Sequence, residues 1–91
     1  MATVRFTRHL NRYFPALPEE LRLDAASVAA LLRQLDERYP GIAHYVADER
    51  GALRQHVNVF VDEQPITDRE RLSDPLGPAS RVFILQALSG G

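Results

Sequence analysis

The sequence predicts an α+β domain, a mixed sheet of four to five strands packed on one main helix. Three observations carry that expectation. Val28, Leu31, Leu32, Leu35 and Tyr39 recur at helical spacing and form a single apolar stripe. Residues 2–8 and 56–61 alternate apolar and polar side chains with the period of a strand. A third apolar run, Val82-Phe83-Ile84-Leu85, is rich in the β-branched and aromatic residues that strands favour. A helix with one apolar stripe must lie on something flat, and the strands supply it.

The elements follow in chain order. In residues 2–8, Val4 and Phe6 share one face while Thr3, Arg5 and Thr7 share the other, the pattern of a half-buried strand. Residues 11–18 hold Tyr13, Phe14, Pro15 and Pro18 and read as a loop with anchoring aromatics. Leu21 and Leu23 point one way in a short strand that forms a hairpin with the first. Asp24 or Ser27 caps the main helix, and Pro40-Gly41 ends it. Ile42, Tyr45 and Val46 fit one helical turn beneath it, and Asp48-Glu49-Arg50-Gly51 is a polar turn. Val57, Val59 and Val61 line one face of the next strand. Asp62-Glu63-Gln64-Pro65 is a turn, after which Ile66 is expected to start a very short edge strand, since Pro65 has no N–H for a ladder. Residues 69–78 form a compact irregular connection to the closing strand.

Composition narrows the function. The 91 residues make one domain with a modest core, 45% of them apolar, and the formal net charge is −1. That balance gives no sign of disorder or of a nucleic-acid partner. No apolar run is long enough to span a membrane and the start does not read as a signal peptide, so the chain is expected to be cytoplasmic. It has no cysteine, hence no disulfide, no thiolate metal site and no thiol nucleophile. It also has no lysine: all eleven basic side chains are arginine. His9, His44 and His56 lie on separate elements, so no metal site is expected. Asp48-Glu49 and Asp62-Glu63 read as solvated turn carboxylates, with no nucleophile beside them and no catalytic residue in view. Arg69, Arg71 and Arg81 form either a patch for an acidic partner surface or an ordinary solvated face.

One feature exceeds the needs of a simple two-layer fold. With the valines of 57–61 and Val82 and Ile84 on the helix side, Phe60, Phe83 and Leu85 are left on the other face. A sheet covered by one helix should have one wet face. The excess apolar area marks either a binding surface or a face covered by the Tyr13-Phe14 loop. Beyond Leu88 the chain runs Ser89-Gly90-Gly91. Residues 1–88 are therefore expected to form the domain and 89–91 a flexible tail, because glycines have the most backbone entropy to lose. Such a tail is either a frayed end or a thin strip able to lie in a narrow slot.

This order of elements with a projecting Gly-Gly resembles the ubiquitin-like β-grasp proteins, and among them the small sulfur carriers of the MoaD/ThiS type. The likeness rests on Ser27-Val28-Ala29-Ala30-Leu31-Leu32 through Tyr39-Pro40-Gly41-Ile42, on Val57-Asn58-Val59-Phe60-Val61-Asp62, and on Arg81-Val82-Phe83-Ile84-Leu85 running to Gly90-Gly91. The Leu53-Arg54-Gln55-His56 lead-in is most similar to the carriers of cysteine biosynthesis; Leu88-Ser89 departs from the small or proline-containing residues of many relatives. The resemblance implies a carrier rather than an enzyme, monomeric when free, that binds no cofactor of its own. In that family the Gly91 carboxylate would be adenylated by an E1-like activating enzyme, which uses ATP, and then converted to a thiocarboxylate. A sulfur-accepting synthase of a cysteine, thiamine or molybdopterin pathway would take the sulfur. Gly90 and Ser89 would complete the tail, and Phe60, Leu85, Phe83 and Leu88 would bind the partners. Three other readings fit the same residues: a ubiquitin-like modifier conjugated through Gly91, the small subunit of a molybdopterin synthase, and a β-grasp binding module without terminal chemistry.

Overall fold

The alternating stretches pair into one five-stranded mixed sheet, and the apolar stripe of the main helix covers one of its faces. The computed structural model describes residues 1–86. The elements are β1 (Ala2–Phe6), α1 (His9–Tyr13), β2 (Glu20–Leu23), α2 (Val28–Arg38), α3 (Ile42–Val46), β3 (Val57–Val61), β4 (Gln64–Pro65) and β5 (Arg81–Gln86). The sheet order is β2-β1-β5-β3-β4. β5 lies in the middle, parallel to β1 and antiparallel to β3, while β1 and β2 form an antiparallel hairpin. The core fills the space between α2 and the sheet: Leu31 and Leu35 of α2 meet Val4, Val57, Val59, Val82 and Ile84 of the strands, all buried.

α2 is anchored at both ends by polar contacts. Ser27 is its N-cap and its hydroxyl accepts from the Ala30 N–H at 3.1 Å. The N–H groups of Val28 and Ala29, which no helix can satisfy internally, donate to the carbonyls of Asp74 (3.0 Å) and Leu72 (2.8 Å). The irregular connection of residues 67–80 thus caps the helix as well as linking two strands. At the other end Asp36 Oδ1 accepts from the N–H groups of Gly41 (3.0 Å) and Ala43 (3.1 Å). Gly41 has φ +99°, a conformation that lets the chain turn straight into α3.

The connection is built on carboxylates. Asp74 accepts from the N–H groups of Thr67 and Asp68, and Asp68 accepts from those of Glu70, Arg71 and Ser73 and from the Ser73 hydroxyl. These bonds hold the Asp68 carboxyl below the usual carboxylate range, the Ser73 side chain contributing most and the Arg71 N–H next. Leu72, at φ +57°, is pushed into the core by this loop and is buried.

Two local expectations are corrected. Residues 11–18 are not loop throughout: α1 runs to Tyr13, pinned by the fully buried Leu10 and closed by an Asn11 Nδ2 donation to the Leu17 carbonyl at 2.8 Å. The edge strand is Gln64–Pro65 rather than one starting at Ile66. Asp62 and Glu63 take φ +51° and +70° and form a two-residue hairpin turn, so pairing with β3 resumes at once, Val61 opposite Gln64 and Phe60 opposite Pro65. Ile66 lies just past the strand, its N–H on the Val59 carbonyl at 3.0 Å and its side chain buried.

Positive φ at the non-glycine Glu63 costs stability, and its exposed side chain offsets none of it by packing. Glu63→Gly is expected to raise unfolding stability by about 0.5–1 kcal/mol in a denaturant titration. Asp68 generates a pH dependence. Because its folded pKa is lowered, its stabilising effect is present above the unfolded carboxyl pKa and is lost as pH falls through the folded value. Amide exchange at Glu70, Arg71 and Ser73 should therefore accelerate in acid relative to the core strands, and Asp68→Asn should show the fast exchange at neutral pH.

Candidate functional site

Strand register assembles the face of the sheet away from α2 into crossing rows. Arg5 of β1 stands opposite Glu20 of β2 and Phe83 of β5; Phe83 stands opposite Phe60 of β3, and Phe60 opposite Pro65 of β4. One row, Glu20–Arg5–Phe83–Phe60–Pro65, thus crosses all five strands, charged at one side and apolar at the other. On the side toward the beginning of β5 the neighbouring row is Arg22–Thr3–Arg81. On the side toward its end, Leu85 stands opposite Asn58. Thr3, Arg5, Arg22, Phe60, Arg81 and Phe83 line an open depression of about 800 Å³, with Glu20 and Glu63 at its rims.

The aromatic groups expected on this face are therefore together. Phe83 is 39% exposed, the centre of the patch, with Phe60 and Leu85 half-buried beside it. Tyr13 and Phe14 do not cover them. Tyr13 stacks on Tyr45 of α3 with ring centroids 4.6 Å apart, and Phe14 meets Tyr45 edge-on at 5.5 Å. Those rings pack over the helical layer because α1 delivers them beside α3. Leu88, Ser89, Gly90 and Gly91, the remaining residues assigned to the site, lie outside the described residues.

Arg69, Arg71 and Arg81 form neither a common patch nor one solvated face. Arg69 is half-buried, its guanidinium donating to Asn58 Oδ1 (3.3 Å) and to the carbonyls of Arg54 (3.0 Å) and Val57 (2.9 Å). It ties the irregular connection to the start of β3 and leaves the internal Asn of that strand a structural task. Arg71 lines a groove beside α2, and Arg81 belongs to the open face with Arg5 and Arg22. Sequence reading missed Arg5 and Arg22 as site residues. Their one signal was alternation, which put them on the polar side of strands whose pairing only the structure supplies. The turn carboxylates serve the backbone: Asp48 accepts from the N–H groups of Arg50 (2.9 Å) and Ala52 (3.0 Å), and Asp62 from that of Arg81 (2.9 Å). Among the described residues no group of three His, Cys, Asp or Glu side chains is arranged to hold a metal ion, and no helix is long and apolar enough to cross a membrane.

Comparison with known proteins adds the following. The ThiS family model matches residues 9–91. The solved structures similar to this chain include the Amycolatopsis orientalis BexX/CysO complex, with TM-score 0.85, 20% identity and 100% of each chain covered. Mycobacterium tuberculosis CysO, described as an antigen, matches with TM-score 0.83 and 21% identity over 97% of this chain and 100% of that one. SAMP1 from Haloferax volcanii matches with TM-score 0.78 and 19% identity over 99% and 98%. At these identities the likeness shows the fold. A comparison with curated protein sequences finds no match.

The two faces of the sheet are expected to respond oppositely to truncation. Val59 is fully buried, so Val59→Ala should cost about 1–3 kcal/mol by leaving a cavity. Phe83→Ala removes a side chain that is already partly in water and should cost under about 1 kcal/mol. Paired denaturant titrations check this; a Phe83→Ala loss equal to that of Val59→Ala would put Phe83 in the core.

Proposed function

Because the chain belongs to the ThiS family, the ubiquitin-like β-grasp sulfur carriers, we propose that it carries sulfur as a thiocarboxylate on Gly91. The observation that carries this reading is that the family match runs past β5, the central strand of the sheet, and through residue 91 of the sequence. A terminal carboxyl has a pKa of about 3.5 and at neutral pH is an anion, a poor electrophile. It must be activated. Its oxygen attacks the α-phosphate of ATP, an acyl–phosphate bond forms and pyrophosphate leaves. Sulfide then attacks the acyl carbon, AMP leaves, and the terminus becomes a thiocarboxylate; where a partner's persulfide attacks instead, the product is an acyl disulfide, and a second thiol of that partner displaces the thiocarboxylate and is left as the disulfide. Phosphoryl transfer depends on positioning and on cations at the phosphates, which an E1-like activating enzyme supplies. This chain has no thiol, so the sulfur comes from outside it.

The chain's own contribution is placement. Phe83, with Phe60, Leu85 and, beyond the described strand, Leu88, forms the surface on which the activating enzyme and then a sulfur-accepting synthase dock. A docking surface carried on paired strands fixes the origin of the 89–91 tail, and bringing one carboxylate oxygen to one phosphorus gains most from such fixing. The carrier acts as a cosubstrate in the cytoplasm, with ATP and the sulfur source bound by its partners. The recipient pathway is that of cysteine, thiamine or molybdopterin.

Incubation with the cognate activating enzyme, ATP and sulfide should raise the intact mass by the difference between sulfur and oxygen, and deletion of Gly91 should abolish the shift. Equal behaviour of full-length and truncated chains would overturn the carrier reading. Transfer of the whole chain to lysines of other proteins, without sulfide, would instead support a modifier that uses the same adenylate.

A further inference from the structure

The open face carries a second feature beside its aromatic patch. Arg22 and Arg81 flank Thr3 on neighbouring strands, and Arg5 lies one row further along. Arg5 stands directly opposite Glu20, an opposite charge on the neighbouring strand. Arg22 and Arg81 have no acidic residue opposite them in the register of β1. The Asp62 carboxylate, in the turn after β3, accepts from the Arg81 backbone N–H and serves the turn. The depression is thus lined by three guanidiniums against two carboxylates, on a chain whose formal net charge is −1.

We infer that Arg22 and Arg81 form a cationic clamp for carboxylate side chains on the activating enzyme, and that this clamp sets the direction in which the carrier docks. The inference rests on the docking face proposed above and adds the chemistry of its partner. Adjacent strands lie about 4.8 Å apart, so the two arginines are about 10 Å apart at the backbone and their long side chains reach over Thr3. A guanidinium is always charged and presents a planar fork of donors that fits a carboxylate. The clamp lies at the beginning of β5 and the aromatic patch follows toward its end, where the chain continues to residue 91. The matching surface therefore carries its acidic groups away from the tail and its apolar groups nearer to it. In the reversed orientation the same acidic groups would sit on Phe60 and Phe83 and go unpaired. Charge at an interface rim selects orientation and speeds encounter more than it tightens the final complex.

The test is ATP–pyrophosphate exchange by the activating enzyme across a salt series, with full-length carrier as the varied substrate. Arg22→Gln and Arg81→Gln should each raise the KM for the carrier about three-fold at low salt, the scale of an exposed ion pair. Together they should remove most of the rise in KM that salt causes in the wild type, since screening acts on the pairs that the substitutions delete. Arg71→Gln, on the groove beside α2, should keep the wild-type KM and salt dependence. Thermal melts of every variant report whether a change is one of folding. A wild-type KM and salt dependence in the Arg22→Gln/Arg81→Gln double variant overturns the clamp. If Phe83→Ala nevertheless raises the KM, the docking face stands and the clamp alone falls. If Phe83→Ala is also silent, the docking reading fails with it.

Discussion

The parallel pairing of β1 with β5 is the constraint on which the rest of the molecule depends. It joins Thr3 to Arg81 and Phe6 to Ile84, residues 78 positions apart in sequence. Without it β1–β2 is a hairpin cut off from β5-β3-β4, and an isolated hairpin is too small to be stable alone. With it they become one sheet, and Val4, Val82, Ile84 and Val59 form a continuous floor for α2. The pairing also places the two sets of side chains of the open face. The arginines arrive on β1, β2 and the start of β5, and the aromatics on β3 and β5; only the central strand brings them side by side.

Parallel strands require a long return path, and the last part of that path, from β4 to β5, has little regular structure. Residues 67–80 are held by directed polar bonds instead of by a ladder. Asp68 and Asp74 gather the N–H groups of the loop, and the loop gives its own carbonyls to the first N–H groups of α2. Arg69 does the same for the carbonyls of residues 54 and 57. These bonds give the loop's backbone groups partners, which lowers the desolvation cost of laying an irregular segment against a core.

The layout of the molecule was legible where period decides. Alternation and the stripe from Val28 to Tyr39 sufficed for α2, β1, β2, β3 and β5 and for which side of each strand is apolar. Alternation likewise separated Phe60, Phe83 and Leu85 from the valines. Long-range pairing was not legible, because strand period does not say which strand neighbours which. Arg5 and Arg22 therefore looked like ordinary solvent-facing residues, and Arg69, Arg71 and Arg81 looked like neighbours although the structure sends them three ways. The Asp62-Glu63 turn was hidden for a different reason. Tight hairpins are recognised by glycine or asparagine at positive φ, and this chain uses neither. Tyr13 and Phe14 were recognised as anchors, but their target, Tyr45, depends on the placement of α3 by Gly41 and Asp36.

The middle position of β5 also bears on how the chain matures. Among the described residues every other strand and helix precedes it, so during synthesis the sheet has no strand between β1 and β3 until residues 81–86 emerge from the ribosome. The gap has unpaired edges on both sides and an uncovered apolar floor, the features that invite aggregation or proteolysis. A chain interrupted before residue 81 lacks Phe83 and Arg81 as well as the strand that organises the face around them. The open face described above therefore forms only when the central strand is in place.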